Sequence, residues 1–232
     1  MLINSSFRLN GKAYSQDSLC KHAQIWVTSS DEEQQALGKF ILDWFSDNEH
    51  IALHTSGSTG KPKEIQLPKT AMYASAVRTA VFFKLSEGDS ALLCLPIRYI
   101  AGKMMLVRAL VLGLDLDIIP PKTKLHIEKN YTFAALVPLQ ANASFDLLGK
   151  FKTVLIGGAP IPTELRKRIG KTHSHCIETY GMTETLTHVA TRTIKDVDKP
   201  FKAMPGIGFW TDENGCLVIE VPYLPLSPIA VS

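Results

Sequence analysis

The run Ala52-Leu53-His54-Thr55-Ser56-Gly57-Ser58-Thr59-Gly60-Lys61-Pro62-Lys63 gathers hydroxyls, glycines and two lysines into one short stretch. That combination suits a polyphosphate. Gly57 and Gly60 let backbone N–H groups turn toward phosphate oxygens. Thr55, Ser56, Ser58 and Thr59 add hydroxyl donors, and Lys61 and Lys63 supply point charges. The spacing excludes a Walker loop, which needs four residues between its glycines and a Ser or Thr after its Lys. Here two residues separate Gly57 from Gly60, and Pro62 follows Lys61. Pro62 favours an extended chain, so a hairpin into Glu64–Leu67 is expected. A plain surface turn of the same composition is the competing reading.

Three later segments carry further chemistry. In Glu178-Thr179-Tyr180-Gly181-Met182-Thr183-Glu184-Thr185, Tyr180 can stack on a purine, Gly181 permits close approach, Thr183 offers a hydroxyl to a phosphate, and Glu184 offers a carboxylate oxygen to Mg²⁺. Taken alone, the same residues also suit a capped helix start. Leu155-Ile156-Gly157-Gly158-Ala159-Pro160 is a strand ending in two glycines, which leaves an open crevice or simply a turn. Leu95-Pro96-Ile97-Arg98-Tyr99-Ile100-Ala101-Gly102 ends another strand and places Arg98, Tyr99 and Lys103 together.

The elements needed to position these segments are legible in the hydrophobic pattern. Strands are expected at Gln24–Thr28, Ile51–His54, Glu64–Leu67, Ala91–Leu95, Leu114–Ile119, Phe133–Val137, Thr153–Ile156 and His175–Glu178. Helices are expected from Asp31 to about Phe45, after Pro68 through Ala80, and at Lys103–Leu112, Leu139–Leu148 and Thr163–Ile169. Such alternation predicts an α/β fold with helices on layered, mostly parallel sheets. Past Lys199 the chain is Pro-rich, with one strong strand candidate, Cys216–Val221. Pro222–Ser232 reads as an exposed linker or a cut end. The expected organisation is therefore one large domain over residues 1–221, possibly of two sheet subdomains.

Composition narrows the class. Of 232 residues, 45% are hydrophobic and 20% charged, the balance of a globular protein. A net charge of +3 without a basic aromatic run argues against nucleic acid as a partner. Cys20, Cys94, Cys176 and Cys216 have no C-x-x-C spacing and read as reduced structural thiols. With no signal-peptide pattern at the start and no apolar stretch of membrane length, a soluble cytoplasmic protein is expected.

Thr55-Ser-Gly-Ser-Thr-Gly-Lys-Pro-Lys63, Gly157-Gly-Ala-Pro160 and Tyr180-Gly-Met-Thr-Glu184, in that order, resemble the motifs of the adenylate-forming superfamily of acyl-CoA synthetases, adenylation domains and luciferases. Within it the nearest resemblance is to the o-succinylbenzoate–CoA ligases of menaquinone biosynthesis. The resemblance spans about residues 50–221. It implies the fold of the large N-terminal AMP-binding domain. It also implies an AMP-forming acid–thiol ligase: ATP and a carboxylate give an acyl-adenylate, and CoA then displaces AMP. Thr183, Glu184 and Lys63 would be catalytic, with Mg²⁺ at Glu184. Thr55–Lys61, Gly157–Pro160 and Tyr180–Met182 would hold the nucleotide. Arg98, Tyr99, Lys103, Thr187 and His188 would face the acid, Arg98 or Lys103 pairing with its second carboxylate.

Two departures stand out. Glu64 follows Lys63 where the family usually has Gly, and Tyr99 takes the place of its usual His. The ribose-holding Asp and the lid-domain Lys implied by the resemblance lie beyond Ser232, so a poorly active N-terminal part of a ligase is expected. Another acyl- or aryl-CoA ligase, a stand-alone adenylation domain and a non-catalytic nucleotide-binding module remain alternatives.

Overall fold

A computed structural model describes residues 3–55, 63–172, 175–195, 199–225 and 227–231, with the backbone alone described at 54, 55 and 63. The expected phosphate loop falls largely on residues 56–62, which lie outside the described residues.

Two short strands, β1 (Arg8–Leu9) and β2 (Lys12–Ala13), precede helix α1 (Gln16–Trp26). Ser15 caps α1 by accepting from Ser18 N–H, and Leu19 and Ala23, four residues apart, bury one face. The strand expected at Gln24–Thr28 is therefore the last turn of a helix. Its Ile25 and Val27 mimic a strand, yet Ile25 is 67% exposed, because the packing contact with helix α2 (Glu32–Phe45) is made by the other face. As expected, Asp31 caps α2, accepting from Glu33 N–H (2.9 Å) and Gln34 N–H (3.0 Å), and Leu37, Phe40, Ile41 and Trp44 are buried.

Strands β3 (His50–Thr55) and β4 (Lys63–Pro68) form the expected antiparallel hairpin, with Thr55 opposite Lys63. Helix α3 (Lys69–Phe83) follows, closed by Lys84 in the left-handed conformation.

The remaining layers are β5 (Ser90–Leu93), α4 (Ile100–Leu112), β6 (Asp115–Ile118), β7 (Tyr131–Leu136), α5 (Pro138–Ala143), a 3₁₀ turn at Phe145–Lys150, β8 (Phe151–Ile156), α6 (Thr163–Ile169), β9 (His175–Gly181), β10 (His188–Thr193) and β11 (Lys202–Ala203). They build a nine-stranded sheet in the order β11-β10-β9-β8-β7-β5-β6-β1-β2. It is parallel from β9 through β1, as expected. Antiparallel strands β10, β11 and β2 finish its edges, which the hydrophobic pattern did not announce.

Side-chain alternation splits the core in two. Leu93, Phe133, Leu155 and Ile177 join α2, α3 and α4 in one cluster. Leu92, Ala134, Val154, Ile156 and Cys176 join α6 in the other. Central strands covered on both faces need apolar residues at successive positions, which is why β5, β7 and β8 read as unbroken apolar runs.

The end of the chain departs from expectation. Strand β12 (Gly208–Thr211), β13 (Leu217–Glu220) and β14 (Ile229–Val231) form a second, antiparallel sheet. The segment expected as an exposed linker after residue 221 thus returns as a strand, with Leu224 buried in the core. Its prolines mask it, since they remove the alternation that marks a strand. Among the described residues no helix is long and apolar enough to cross a membrane.

Candidate active site

The sheet order runs in one direction from β5 to β6 and in the other from β5 to β7. Ligands of open α/β sheets bind outside the carboxyl ends of the strands at such a reversal. A cavity of about 580 Å³ lies there. Its wall takes Leu95 and Pro96 from beyond β5, Leu136 and Val137 from the end of β7, Gly157 and Gly158 from beyond β8, and Thr179 and Gly181 from the end of β9.

Polar side chains hold these strand ends in place. Gln140 Nε2 donates to the carbonyls of Cys94 (2.7 Å) and Lys122 (3.1 Å), while its Oε1 accepts from Val137 N–H (3.2 Å). One side chain thus ties β5, β7 and an intervening loop together. Glu33 Oε2 accepts from Ile97 N–H at 3.1 Å and pins the turn into α4. Two glycines are required by close approach. A Cβ at Gly157 would overlap Thr179 Oγ1, and one at Gly181 would overlap the Thr187 carbonyl.

The Tyr-Gly-Met-Thr-Glu segment is not a helix start. Strand β9 runs through Gly181, and residues 182–187 turn back into β10. Thr185, fully buried, knits that turn: its Oγ1 accepts from Met182 N–H (2.9 Å) and donates to the Thr187 carbonyl (2.9 Å). Thr183 and the exposed Glu184 are thereby presented at the cavity.

The cavity brings together many of the residues singled out in the sequence: Tyr99, Gly157, Gly158, Gly181, Met182, Thr183, Glu184, Thr187 and His188. Others sit elsewhere. The Tyr180 ring packs edge-on against Phe201, with centroids 6.3 Å apart, and Ala159 and Pro160 are exposed beyond the wall. Arg98 is exposed, its guanidinium 5.1 Å from the Tyr99 ring. Lys103, expected beside the acid, turns the other way. Its ammonium lies 4.6 Å from the Phe40 ring on α2, and burial lowers its pKa, opposed by Asp43. The helical period explains this, because Lys103 and the cavity-lining residues occupy different faces of α4.

The cation at the cavity wall is instead Arg108, 2% exposed. Its Nη2 donates to Thr187 Oγ1 (2.8 Å) and its Nε to Thr79 Oγ1 (3.3 Å). Burial pulls its pKa down to about 10, partly offset by Tyr223. Among the described residues no carboxylate pairs with it. The signal was present in the sequence, as a lone charge inside the apolar run Met104-Met105-Leu106-Val107-Arg108-Ala109-Leu110.

His188 stands next to it. Nδ1 lies 3.1 Å from Thr187 Oγ1, and the ring meets Phe83 edge-on at 5.7 Å. Burial, then Arg108 and Arg78, push its pKa down to about 3, so the imidazole is neutral. On the opposite face of β9, the buried Glu178 accepts from Arg166 Nη1 (2.5 Å) and Nη2 (2.8 Å) and from Arg192 Nε (3.0 Å) and Nη2 (2.6 Å). This double clamp joins α6, β9 and β10 directly behind the cavity.

Among the described residues no group of three or more His, Cys, Asp or Glu could cage a metal ion. A lone carboxylate such as Glu184 fits Mg²⁺ carried in by phosphates, since Mg²⁺ takes one or two carboxylates plus substrate oxygens and water.

A mostly parallel α/β sheet with a glycine-lined crevice at its reversal defines an open α/β protein of the kind that binds ligands at its strand ends. More narrowly, residues 16–224 match the model of the AMP-binding enzyme family, and the chain belongs to that family. It is 29% identical over 166 residues to the 2-succinylbenzoate–CoA ligase of Bacillus mycoides (strain KBAB4), covering 66% of this chain and 34% of that protein. To the enzyme of the same name from Oceanobacillus iheyensis it is 25% identical, covering 67% and 35%. The chain thus spans about a third of the length of these curated relatives.

Among solved structures, an acyl-CoA synthetase (AMP-forming)/AMP-acid ligase II-like protein from Dyadobacter fermentans superposes with a TM-score of 0.78 at 30% identity. The match covers 90% of this chain and 63% of that one. The o-succinylbenzoate coenzyme A synthetase of Bacillus subtilis in complex with ATP and magnesium shares the fold, with a TM-score of 0.64 at 21% identity over 75% of this chain and 41% of that one.

Proposed function

We infer that this chain carries the nucleotide and acid sites of an ATP-dependent acid–CoA ligase whose acid is 2-succinylbenzoate. The observation that carries the reading is Arg108. A buried guanidinium on a ligand cavity, bonded to neutral partners and lacking a carboxylate among the described residues, calls for an anion from the ligand. 2-Succinylbenzoate has two carboxylates. One reacts with ATP, and the other reaches Arg108, the pairing first sought at Arg98 or Lys103.

In the first step a carboxylate oxygen bonds to the α-phosphorus of ATP and pyrophosphate leaves. In the second the CoA sulfur bonds to the acyl carbon and AMP leaves. Thr183 would hold the α-phosphate, and Glu184 a Mg²⁺ whose charge neutralises the polyphosphate. The Thr55–Lys63 loop, with Lys61 and Lys63, would cradle the outer phosphates. Gly157, Gly158 and the Tyr180–Met182 strand end would flank the nucleoside. Nothing here draws on a membrane or a nucleic acid, and a cytoplasmic location accords with both co-substrates.

Thermal shift in the presence of Mg-ATP tests the acid. 2-Succinylbenzoate is expected to raise the melting temperature more than benzoate or a fatty acid does. Equal shifts from all three would overturn the assignment.

A further inference from the structure

Among the described residues, three that are not glycine hold φ in the left-handed region: Asn10 at 50°, Lys84 at 54° and Leu186 at 69°. The first two have ordinary reasons. Asn10, a residue type that tolerates this region, lies in the turn between β1 and β2, and Lys84 caps the end of α3. Leu186 has neither excuse. It is bulky, fully buried, and part of the connection from β9 to β10. A leucine in that conformation persists only where its surroundings over-determine it, and such strain collects at functional sites.

The surroundings of Leu186 do this. Gly181 pairs with His188, so residues 182–187 must leave β9 and return to it. The outward limb carries Thr183 and the exposed Glu184 to the cavity. The inward limb buries Thr185 and Leu186 completely. Leu186 N–H closes the turn by donating to the Thr183 carbonyl at 3.0 Å. Past that bond, φ of Leu186 sets the direction of the chain. The left-handed value brings the Thr187 carbonyl back to accept from Thr185 Oγ1 at 2.9 Å, and against Gly181, where a Cβ would overlap it. The Leu186 side chain belongs to the same core cluster as Val189 of β10. Cβ rotates about the same N–Cα bond, so a right-handed φ would swing that side chain out of the core. Burial of the leucine therefore locks the strained backbone, and the strained backbone fixes the turn that bears Thr183 and Glu184.

We propose that Leu186 is a positioning residue: its locked left-handed backbone pre-organises Thr183 and Glu184 for the α-phosphate and its Mg²⁺ before the nucleotide arrives. The proposal rests on the ligase reading above and deepens it. Leu186 touches no ligand and acts only through the shape of the turn.

Calorimetry with Mg-ATP compares Leu186→Ile with Leu186→Met. Both keep a buried apolar side chain of similar volume, but branching at Cβ makes the left-handed region much less accessible to isoleucine. Leu186→Ile is expected to weaken Mg-ATP by about 10-fold, and Leu186→Met to stay within about threefold of the wild type. A double-mutant cycle separates positioning from mere support of the fold. Thr183→Ala should cost about 10-fold in the wild type but less than about twofold in the Leu186→Ile background, where the hydroxyl is already displaced. Additive losses, or equal affinities for Leu186→Ile and Leu186→Met, overturn the inference and leave the ligase reading standing. No binding of Mg-ATP by the wild type overturns both. NMR of the free wild-type protein decides the matter even where Leu186→Ile does not fold. Carbon shifts of a left-handed Leu186, in a turn over residues 183–186 as rigid as β9 and β10, support the inference. A right-handed or extended Leu186, or a turn ordered only when nucleotide is added, refutes it.

Discussion

Arg108 Nη2 donates to Thr187 Oγ1 across 2.8 Å, joining helix α4 to the turn that enters β10. The bond crosses 79 residues of sequence and aims the guanidinium along the cavity wall. Because Arg108 lacks a carboxylate among the described residues, its replacement should damage acid binding first. Arg108→Gln is expected to weaken 2-succinylbenzoate by about 30-fold or more, the usual effect of truncating one partner of a desolvated charge pair. ATP affinity should stay within a factor of a few. Calorimetry of both ligands checks this, and equal losses for the two would refute the assignment of Arg108 to the acid.

The double clamp on Glu178 makes a separate prediction about stability. Glu178→Ala leaves the partly buried Arg166 and Arg192 facing each other without their shared anion. Breaking a buried pair in this way costs about 3–5 kcal/mol. Urea unfolding should show the midpoint fall with an unchanged slope. A loss below about 1 kcal/mol would mean that the two arginines find other acceptors or water.

His188 predicts a pH dependence whose sign can be worked out. Its pKa falls from the usual 6.5 to about 3 on folding, through burial and then Arg108 and Arg78. Between those values the unfolded chain binds a proton at this site that the folded chain refuses. The contribution is therefore complete above pH 6.5 and is lost as pH falls toward 3, at up to about 1.4 kcal/mol per pH unit. Since carboxylates titrate in the same range, the measurement is the difference between wild type and His188→Phe. Their stability-versus-pH curves should converge as the solution is acidified. Parallel curves would place His188 in a more solvated setting.

Nucleotide contacts give a fourth expectation. Lys63→Ala and Thr183→Ala should each weaken ATP binding by about 10-fold, consistent with the loss of one charge-assisted hydrogen bond. Because Thr183 sits on a turn held by Thr185 and not by its own side chain, Thr183→Ala should leave the melting temperature nearly unchanged. Unaltered ATP affinity in both variants would remove the phosphate-site assignment.

Much of this protein was legible before any fold was known, and local physics explains which parts. Asp31 capping α2, the β3–β4 hairpin and the bounds of α6 depend on neighbours a few residues away. The unbroken apolar runs of β7 and β8 required a sheet covered on both faces. The Gly-Gly and Tyr-Gly-Met-Thr-Glu segments, singled out by their residue types, meet at one cavity. Where local signals conflict with packing, the sequence misleads: Ile25 and Val27 resemble a strand but end a helix, and the prolines past Val221 conceal a strand that pairs with β13.

Only the tertiary structure decided which cation lines the cavity. Arg98 and Lys103 border the motif in sequence, yet one is exposed and the other lies on Phe40. Arg108, hidden in an apolar run, reaches the cavity because α4 turns that face toward β10. The setting of His188 was likewise beyond the sequence. It depends on a hydroxyl and a guanidinium brought together across the sheet, and no spacing along the chain encodes a hydrogen bond between elements that meet only after folding.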